Sequence, residues 1–326
     1  MLWKKGNKGE KLINLSNKAI ATSGGYVSIF EASMKHAASF GVTQVHDMCS
    51  WDDLLTYKRN KDKLTLRIKA YTWYENWNNV IDLIKSDGAG DDMLRWDGIK
   101  AMVDGSLGSR TAWMHNHYLD DKSSRGVLII NDTTFFKDLI KDIDKNDVQL
   151  AVHAIGDKAN DWIIDHFLQI IKHNGIKDRR FRIEHAQHLT NNGIDKIIKH
   201  DIIPSMQPYG CIDDTRWMHK RITNDLMSRS YIFKTFIQNN VNLTFGSDWD
   251  VTPINPLKGI YAAGLSILNE DLSLNIEKTI SHSEKIIDQG CHGVAVFGST
   301  GQAPVSYTHL RAHETVLDLV CRLLLE

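Results

Sequence analysis

VQLAVHAIGDKAND, residues 148–161, is the stretch on which the reading of this chain turns. An apolar, β-rich run ends at a polar side chain, His153, and a glycine at 156 opens a helical pattern over Asp157–Asn174. The order is strand, turn, helix, with a histidine at the strand's end. The next unit repeats it: RRFRIEHA, residues 179–186, carries His185 in the equivalent place, with His188 a few residues further on.

The same rhythm extends outward in both directions. GVTQVHDM (41–48) follows a helical pattern over Ile29–Phe40, TLRIKAYTW (65–73) comes next, and IKAMVD (99–104) follows Asn76–Ser86. The strand at 148 follows Thr134–Lys145, DIIPSMQP (201–208) follows Thr190–Lys199, and VNLTFGSD (241–248) follows Asp225–Asn239. Seven strand-like runs, mostly alternating with helices, predict an α/β fold with a parallel sheet. A barrel and a doubly wound sheet both satisfy that pattern. Polar residues recur at the ends of strand after strand, as a (β/α)8 TIM-type barrel requires, because its site is collected around one mouth. A doubly wound sheet uses chiefly the strand ends beside one switch point, and no GxGxxG opens a helix here.

Four residues stand at or near these strand ends in the order Lys100, His153, His185, Asp248. Neutral imidazoles suit a borderline cation, and a carboxylate can both hold a metal and move protons. Taken singly, each has an ordinary reading: a surface lysine, a satisfied structural histidine, a Gly-Ser-Asp turn. The ordered set is what points to metal chemistry. In GIKAMVDGSLGSRTAW, Asp104–Gly105 and Gly108 predict a tight loop, and Arg110 can clamp a substrate carboxylate or carbonyl or be a plain surface arginine. His46 also ends a strand run, and can line a substrate pocket or serve structure. His115 and His117, in WMHNHYLDD, fall outside any strand and read as a solvated loop.

The chain has 326 residues, 42% of them hydrophobic and 24% charged, and a net charge of -1, so nothing suggests a nucleic-acid partner. No run reaches the ~18 apolar residues of a membrane-spanning helix, so no membrane association is expected. The N-terminus has basic residues but no apolar core of a secretory leader. The four cysteines, Cys49, Cys211, Cys291 and Cys321, lack CxxC spacing and predict reduced thiols in a cytoplasmic protein.

Taken together, GVTQVHDM, GIKAMVDGSLGSRTAW, VHAIGDKAND, RIEHAQHL, SMQPYG and FGSDWDVTPINPLKGIYAA resemble the amidohydrolase superfamily, in its amidohydrolase-3 branch, over residues 25–263. The resemblance implies a (β/α)8 metallo-dependent hydrolase barrel beside a small β-sandwich, and hydrolysis of amide-type C–N bonds in a small-molecule substrate. It implies His153 and His185 as metal ligands from the fifth and sixth barrel strands. Asp248 becomes the eighth-strand carboxylate that binds metal and takes the proton from water. Lys100 falls at the fourth-strand position, where a carboxylated lysine can bridge two metals. The cofactor expected is zinc, as one or two divalent ions. Asp250 stands where the family usually has proline, beyond the ligand.

The family's first strand ends in a His-x-His pair, and no such strand precedes residue 41. The barrel is therefore expected to be incomplete, lacking its first strand, with the β-sandwich segment absent as well. Residues 266–304 resemble the N-terminal part of the dihydrodipicolinate synthase family, with Ser299 and Thr300 in its carboxylate-contacting loop. Residues 305–326 resemble a translated sequencing adapter in VSYTHLRAHET and DLVCRLLLE, so His309, His313 and Cys321 carry no functional weight. The expected organisation is a partial amidohydrolase barrel (1–265), an aldolase-family-like fragment (266–304) and an adapter-derived tail, a metagenomic chimera. Against hydrolysis by the parent protein stand two alternatives: a non-catalytic fragment, and an aldolase-family carboxylate binder. The strand Gly293–Phe297 is expected to fill the vacant first position.

Overall fold

Parallel pairing runs through seven strands in the order in which the chain makes them. The computed structural model describes residues 26–175 and 177–263. Helix α1 (Tyr26–Ser39) leads into β1 (Gln44–Cys49), α2 (Trp51–Arg59), β2 (Arg67–Trp73), α3 (Trp77–Asp87) and β3 (Leu94–Met102). After a long loop come α4 (Thr133–Lys145), β4 (Gln149–Ala154), α5 (Asp157–Asn174), β5 (Arg182–His185), α6 (Asn191–Lys199) and β6 (Ile203–Met206). The remainder is α7 (Pro208–Thr215), α8 (Asn224–Met227), α9 (Phe233–Gln238), β7 (Thr244–Phe245) and α10 (Pro256–Ala263).

The sheet is curled, and one side chain demonstrates it. In a flat sheet, β1 and β5 would stand roughly 19 Å apart, at about 4.8 Å per strand. Arg182 on β5 nevertheless places Nη1 2.5 Å from Nδ1 of His46 on β1 and 3.2 Å from the Tyr71 hydroxyl on β2. Its Nη2 donates to Ser205 on β6 at 3.0 Å. Only a wall bent into a barrel brings four strands around one guanidinium. Among the described residues β1 and β7 do not pair, so the barrel is incomplete. The opening is bridged on the outside: Ile254, beyond β7, packs on the cluster containing Phe30 and Met34 of α1, and the Trp249 ring lies 5.6 Å from that of His36.

Period-two alternation sorts each strand between two environments. On β4, Leu150, Val152 and Ala154 face outward into a core shared with Phe136 and Leu139 of α4 and Ile163 and Phe167 of α5. Phe167 stacks on Phe181 with ring centroids 4.3 Å apart. Several inward positions are polar, Lys100, His153, Arg182 and Glu184 among them. Arg182 and Glu184 are both buried, with Nη2 2.8 Å from Oε1. The contact is an ion pair by distance but not by hydrogen-bond angle, since Oε1 of Glu184 and Nε of Arg182 have no hydrogen-bond partner. Barrel interiors are more often filled by branched apolar side chains. Helix starts carry the expected caps: Ser50 and Asp53 form a capping box on α2, Asp132 caps α4, and Thr190 caps α6.

Three elements differ from the sequence expectation. β3 begins at Leu94 rather than near Ile99, because Asp97 is tolerated inside the strand by Lys69 and Arg95, which both pair with it. The expected strand at 241–248 shortens to Thr244–Phe245. The helix expected over 225–239 is split into α8 and α9. Its middle is drawn into pairing with the loop after β5: Leu189 N–H donates to Arg229 O at 3.2 Å, and Tyr231 N–H to Gln187 O at 3.0 Å. Tyr231 takes a left-handed φ of 52° to do so. The expected strand Gly293–Phe297, the aldolase-like segment and the adapter-like tail all lie outside the described residues. No helix among the described residues is long and apolar enough to cross a membrane.

The Arg182–Glu184 pair gives a direct check on the curled interior. Arg182→Met strands a buried carboxylate and is expected to cost about 3–5 kcal/mol in urea unfolding. Adding Glu184→Leu is expected to recover much of that loss. A neutral single substitution would show that the pair does not hold the interior.

Candidate metal centre

The C-terminal ends of β3, β4 and β5 bring three of the four sequence candidates together. Lys100 lies two residues before the end of β3 and is only 6% exposed. Burial lowers its pKa, and the Glu184 and Asp248 carboxylates oppose that shift, so both stand within electrostatic reach of its ammonium. His153 pairs in register with Met102 of β3 and with Glu184 of β5 and is buried. Burial, followed by the charges of His185 and Lys100, holds it well below the usual histidine range. His185 is pushed down to about 3, first by burial and then by the Lys100 charge, with the polar Gln207 side chain opposing. Both imidazoles are therefore neutral near pH 7, the form that donates a lone pair to a metal. Their ring centroids are 4.5 Å apart in an edge-to-face arrangement.

His185 should not be there by strand alternation. Its register partner is Ala154, an outward residue, whereas His153 is level with inward Glu184. The backbone resolves the conflict: His185 has φ 77° and Ala186 φ 43°, two successive left-handed residues without a glycine. Such geometry costs of order 1–3 kcal/mol per residue and clusters at functional sites. Here it breaks the period-two pattern at the end of β5 and lets the His185 ring meet that of His153.

The neighbouring loop fixes the other ring. Nε2 of His153 lies 3.1 Å from the Gly105 carbonyl oxygen and 3.5 Å from Oδ1 of Asp104. In a neutral ring the nitrogen facing a carbonyl carries the proton, which assigns Nδ1 as the lone-pair nitrogen. Asp104 is fully buried, and its carboxylate accepts from the backbone N–H of Trp113 (2.8 Å), Ile155 (3.0 Å) and Gly156 (2.8 Å). Burial pushes its pKa up to about 7, against the pull of those N–H bonds.

Asp248 stands on the exposed segment after β7, with φ 51°. Partial loss of water at its carboxyl raises its pKa, and the Lys100 ammonium opposes the rise. Among the described residues no three His, Cys, Asp or Glu side chains converge tightly enough to cage an ion. The donor set still fits a borderline divalent cation in part: two adjacent neutral imidazoles, with a lysine and a carboxylate in electrostatic range.

Two candidates fall elsewhere. Arg110 adopts φ 59° and forks onto Asp120, with Nε at 3.2 Å and Nη2 at 2.9 Å, and Asp120 also binds Arg221. Its guanidinium is thus engaged within its own loop rather than free as a substrate clamp. His46 sits early in β1, which continues to Cys49, so it does not end the strand. With Lys69, Asp97, Gln149 and Arg182 it lines a cavity of about 580 Å³ at the N-terminal ends of the strands, away from the metal candidates. His115 lies in the long loop and pairs with Asp161 at 2.8 Å. Sequence reasoning overlooked Gln207 and Glu184 as neighbours of the centre, and saw in Asp104 only a turn. The polar ends of SMQP and RIEH were the available signals.

Residues 16–286 match the family model described as the amidohydrolase family. The Arabidopsis thaliana protein LONG AFTER FAR-RED 3 is 35% identical over 251 residues, covering 72% of this chain and 43% of that protein. Among solved structures, an uncharacterized metal-dependent hydrolase from Pyrococcus horikoshii superposes with a TM-score of 0.65 at 26% identity, covering 88% of this chain and 56% of the other. One from Pyrococcus furiosus gives 0.64 at 25%, covering 83% and 58%. The chain thus spans less than two thirds of the length of these relatives.

The turn after β4 is expected to be intolerant of even one methyl group. A Cβ on Gly156 would lie 2.1 Å from the Trp113 carbonyl oxygen, a backbone atom that cannot swing aside. Gly156→Ala is expected to cost about 1–3 kcal/mol by overpacking, read as a lower urea midpoint. Gly246→Ala, in open space, serves as the matched control.

Proposed function

The chain belongs to the amidohydrolase family, and on that premise we propose that the protein from which it comes hydrolyses amide-type C–N bonds in a small molecule with the help of a divalent metal. The observation that carries the proposal is the pairing of two neutral imidazoles, buried His153 and half-buried His185, with ring centroids 4.5 Å apart and Lys100 beside them. His153 through Nδ1, His185, Lys100 and Asp248 would hold the ion, with zinc the natural match for imidazole and carboxylate donors. Carboxylation of Lys100 would turn it from a cation into an anionic ligand able to bridge two ions. The low pKa direction of Lys100 favours the neutral amine which that modification requires.

A bound metal supplies Lewis acidity, lowering the pKa of water and polarising the substrate carbonyl. The chain's own residues supply positioning and proton transfer. Asp248 takes a proton from the attacking water and delivers it to the leaving nitrogen, so that the C–N bond breaks to give an acid and an amine. The Gly105 carbonyl orients the His153 ring. The proposed cytoplasmic setting rests on the cysteine spacing alone. The division at residue 265, the aldolase-like segment and the adapter-like tail remain readings of sequence resemblance.

The test uses the purified chain with added zinc and a panel of N-acyl amides. Hydrolysis is expected to fall at least ~100-fold in Asp248→Ala, the range for loss of a general base. It is expected to vanish on chelation. Activity that survives both changes would exclude this centre.

A further inference from the structure

We propose that Asp104 is a positioning residue for His153: it holds the loop of residues 105–113 so that the Gly105 carbonyl accepts the Nε2 proton and leaves Nδ1 as the ring's only lone-pair donor. The inference rests on the reading of His153 as a metal ligand and extends it to a residue that touches neither substrate nor ion.

Three segments meet on this one buried carboxylate. Asp104 itself follows β3, and Val103 N–H donates to the His153 carbonyl at 3.0 Å, so the strand is already level with the histidine. Oδ2 accepts from Trp113 N–H, on the far limb of the loop, and from Gly156 N–H, at the start of α5. Oδ1 accepts from Ile155 N–H and lies 3.5 Å from Nε2 of His153. Gly156 is the N-cap of α5 and has no side chain to cap the helix, so Asp104 takes the N–H of Gly156 itself while the Trp113 carbonyl takes that of Ala159.

The near limb of the loop is fastened separately. Gly105 N–H donates to Thr111 O at 3.1 Å, and Ser106 N–H to Oγ1 of Thr111 at 3.0 Å. A Cβ on Gly105 would fall 2.0 Å from Oγ1 of Thr111, so the chain must be glycine there to close this tightly. The far limb is fastened to α5, since Ala159 N–H donates to Trp113 O at 3.2 Å and the Lys158 ammonium sits 4.5 Å over the Trp113 ring. With both limbs pinned, the Gly105 carbonyl has one place to be, 3.1 Å from Nε2. Outer partners of this kind fix the tautomer and orientation of a ligating histidine, and their loss typically costs 10–100-fold in metal affinity.

Asp157 provides a control. It is also a buried carboxylate, and it too ties the chain after β3 to α5, accepting from His115 N–H at 2.9 Å. Unlike Asp104, it accepts no hydrogen bond from the loop of residues 105–113, only from His115 and Lys158 among the described residues. Zinc affinity is measured by competition with a chelating dye for the wild type, Asp104→Asn, Asp157→Asn and Thr111→Val, and ring nitrogen shifts are recorded on histidine-labelled, metal-free protein. The wild type is expected to bind zinc and to show His153 as the Nε2-protonated tautomer. Asp104→Asn is expected to weaken zinc binding about 10–100-fold and to mix the tautomers. Asp157→Asn is expected to change neither, whatever it does to stability. Should Asp104→Asn not fold, Thr111→Val, which frees only the near limb, is expected to shift both readouts in the same direction. Wild-type affinity and tautomer in a folded Asp104→Asn or, in its place, Thr111→Val, or equal effects in Asp157→Asn, would overturn the inference. Failure of the wild type itself to bind zinc would count against the metal centre.

Discussion

Arg182 can touch β1, β2 and β6 from its place on β5 only if the sheet bends until its far strands face one another. That bend is the constraint on which the centre depends. Lys100, His153, His185 and Asp248 come from β3, β4, β5 and the segment after β7. In a flat sheet, β3 and β7 would stand roughly 19 Å apart, at about 4.8 Å per strand, and no electrostatic contact between Lys100 and Asp248 would exist. The curl turns a linear order of strand ends into a ring, and the polar interior beneath it is built around the same guanidinium. Apolar packing of β4 and β5 against α4 and α5 then keeps the ring from opening outward.

Within that ring, geometry is set by departures from regularity. β5 alone would send His185 into the helical layer. Two left-handed residues reverse it, and the energy they cost is offset by the surroundings: Ala186 is fully buried, and the following Gln187 and His188 are tied to Asp214 and Ser230. On β4 the strand remains regular and the loop after β3 is shaped to meet it. One imidazole is thus brought to the site by its own backbone, and the other is oriented by a neighbour's.

Much of this was legible in residue order and some was not. Short runs bounded by turns locate β1, β4, β5 and β6, through apolar residues that alternate with polar ones in β1 and β5 and are nearly continuous in β4. The first half of β3 was hidden because Asp97 looks like a strand breaker until Lys69 and Arg95 are seen beside it. The break between α8 and α9 was hidden because it depends on pairing with a loop some forty residues earlier, such as Tyr231 with Gln187. At the candidate centre, residue types and their order named Lys100, His153, His185 and Asp248, and the structure places the first three together at neighbouring strand ends. The distinction between His46 and His153 was not available, because both follow apolar residues and only the length of the strand beyond them separates an end from a middle. Asp104 read as a turn residue because its partners lie far along the chain, at Ile155 and Gly156.

The central claim is that His153 and His185 bind one metal ion together. X-ray absorption on the zinc-loaded chain tests it most directly, since imidazole rings give a distinctive multiple-scattering pattern that can be counted. Two imidazoles per zinc are expected in the wild type, dropping to one in either His153→Ala or His185→Ala. A spectrum without imidazole scattering, or one unchanged by both substitutions, would contradict it.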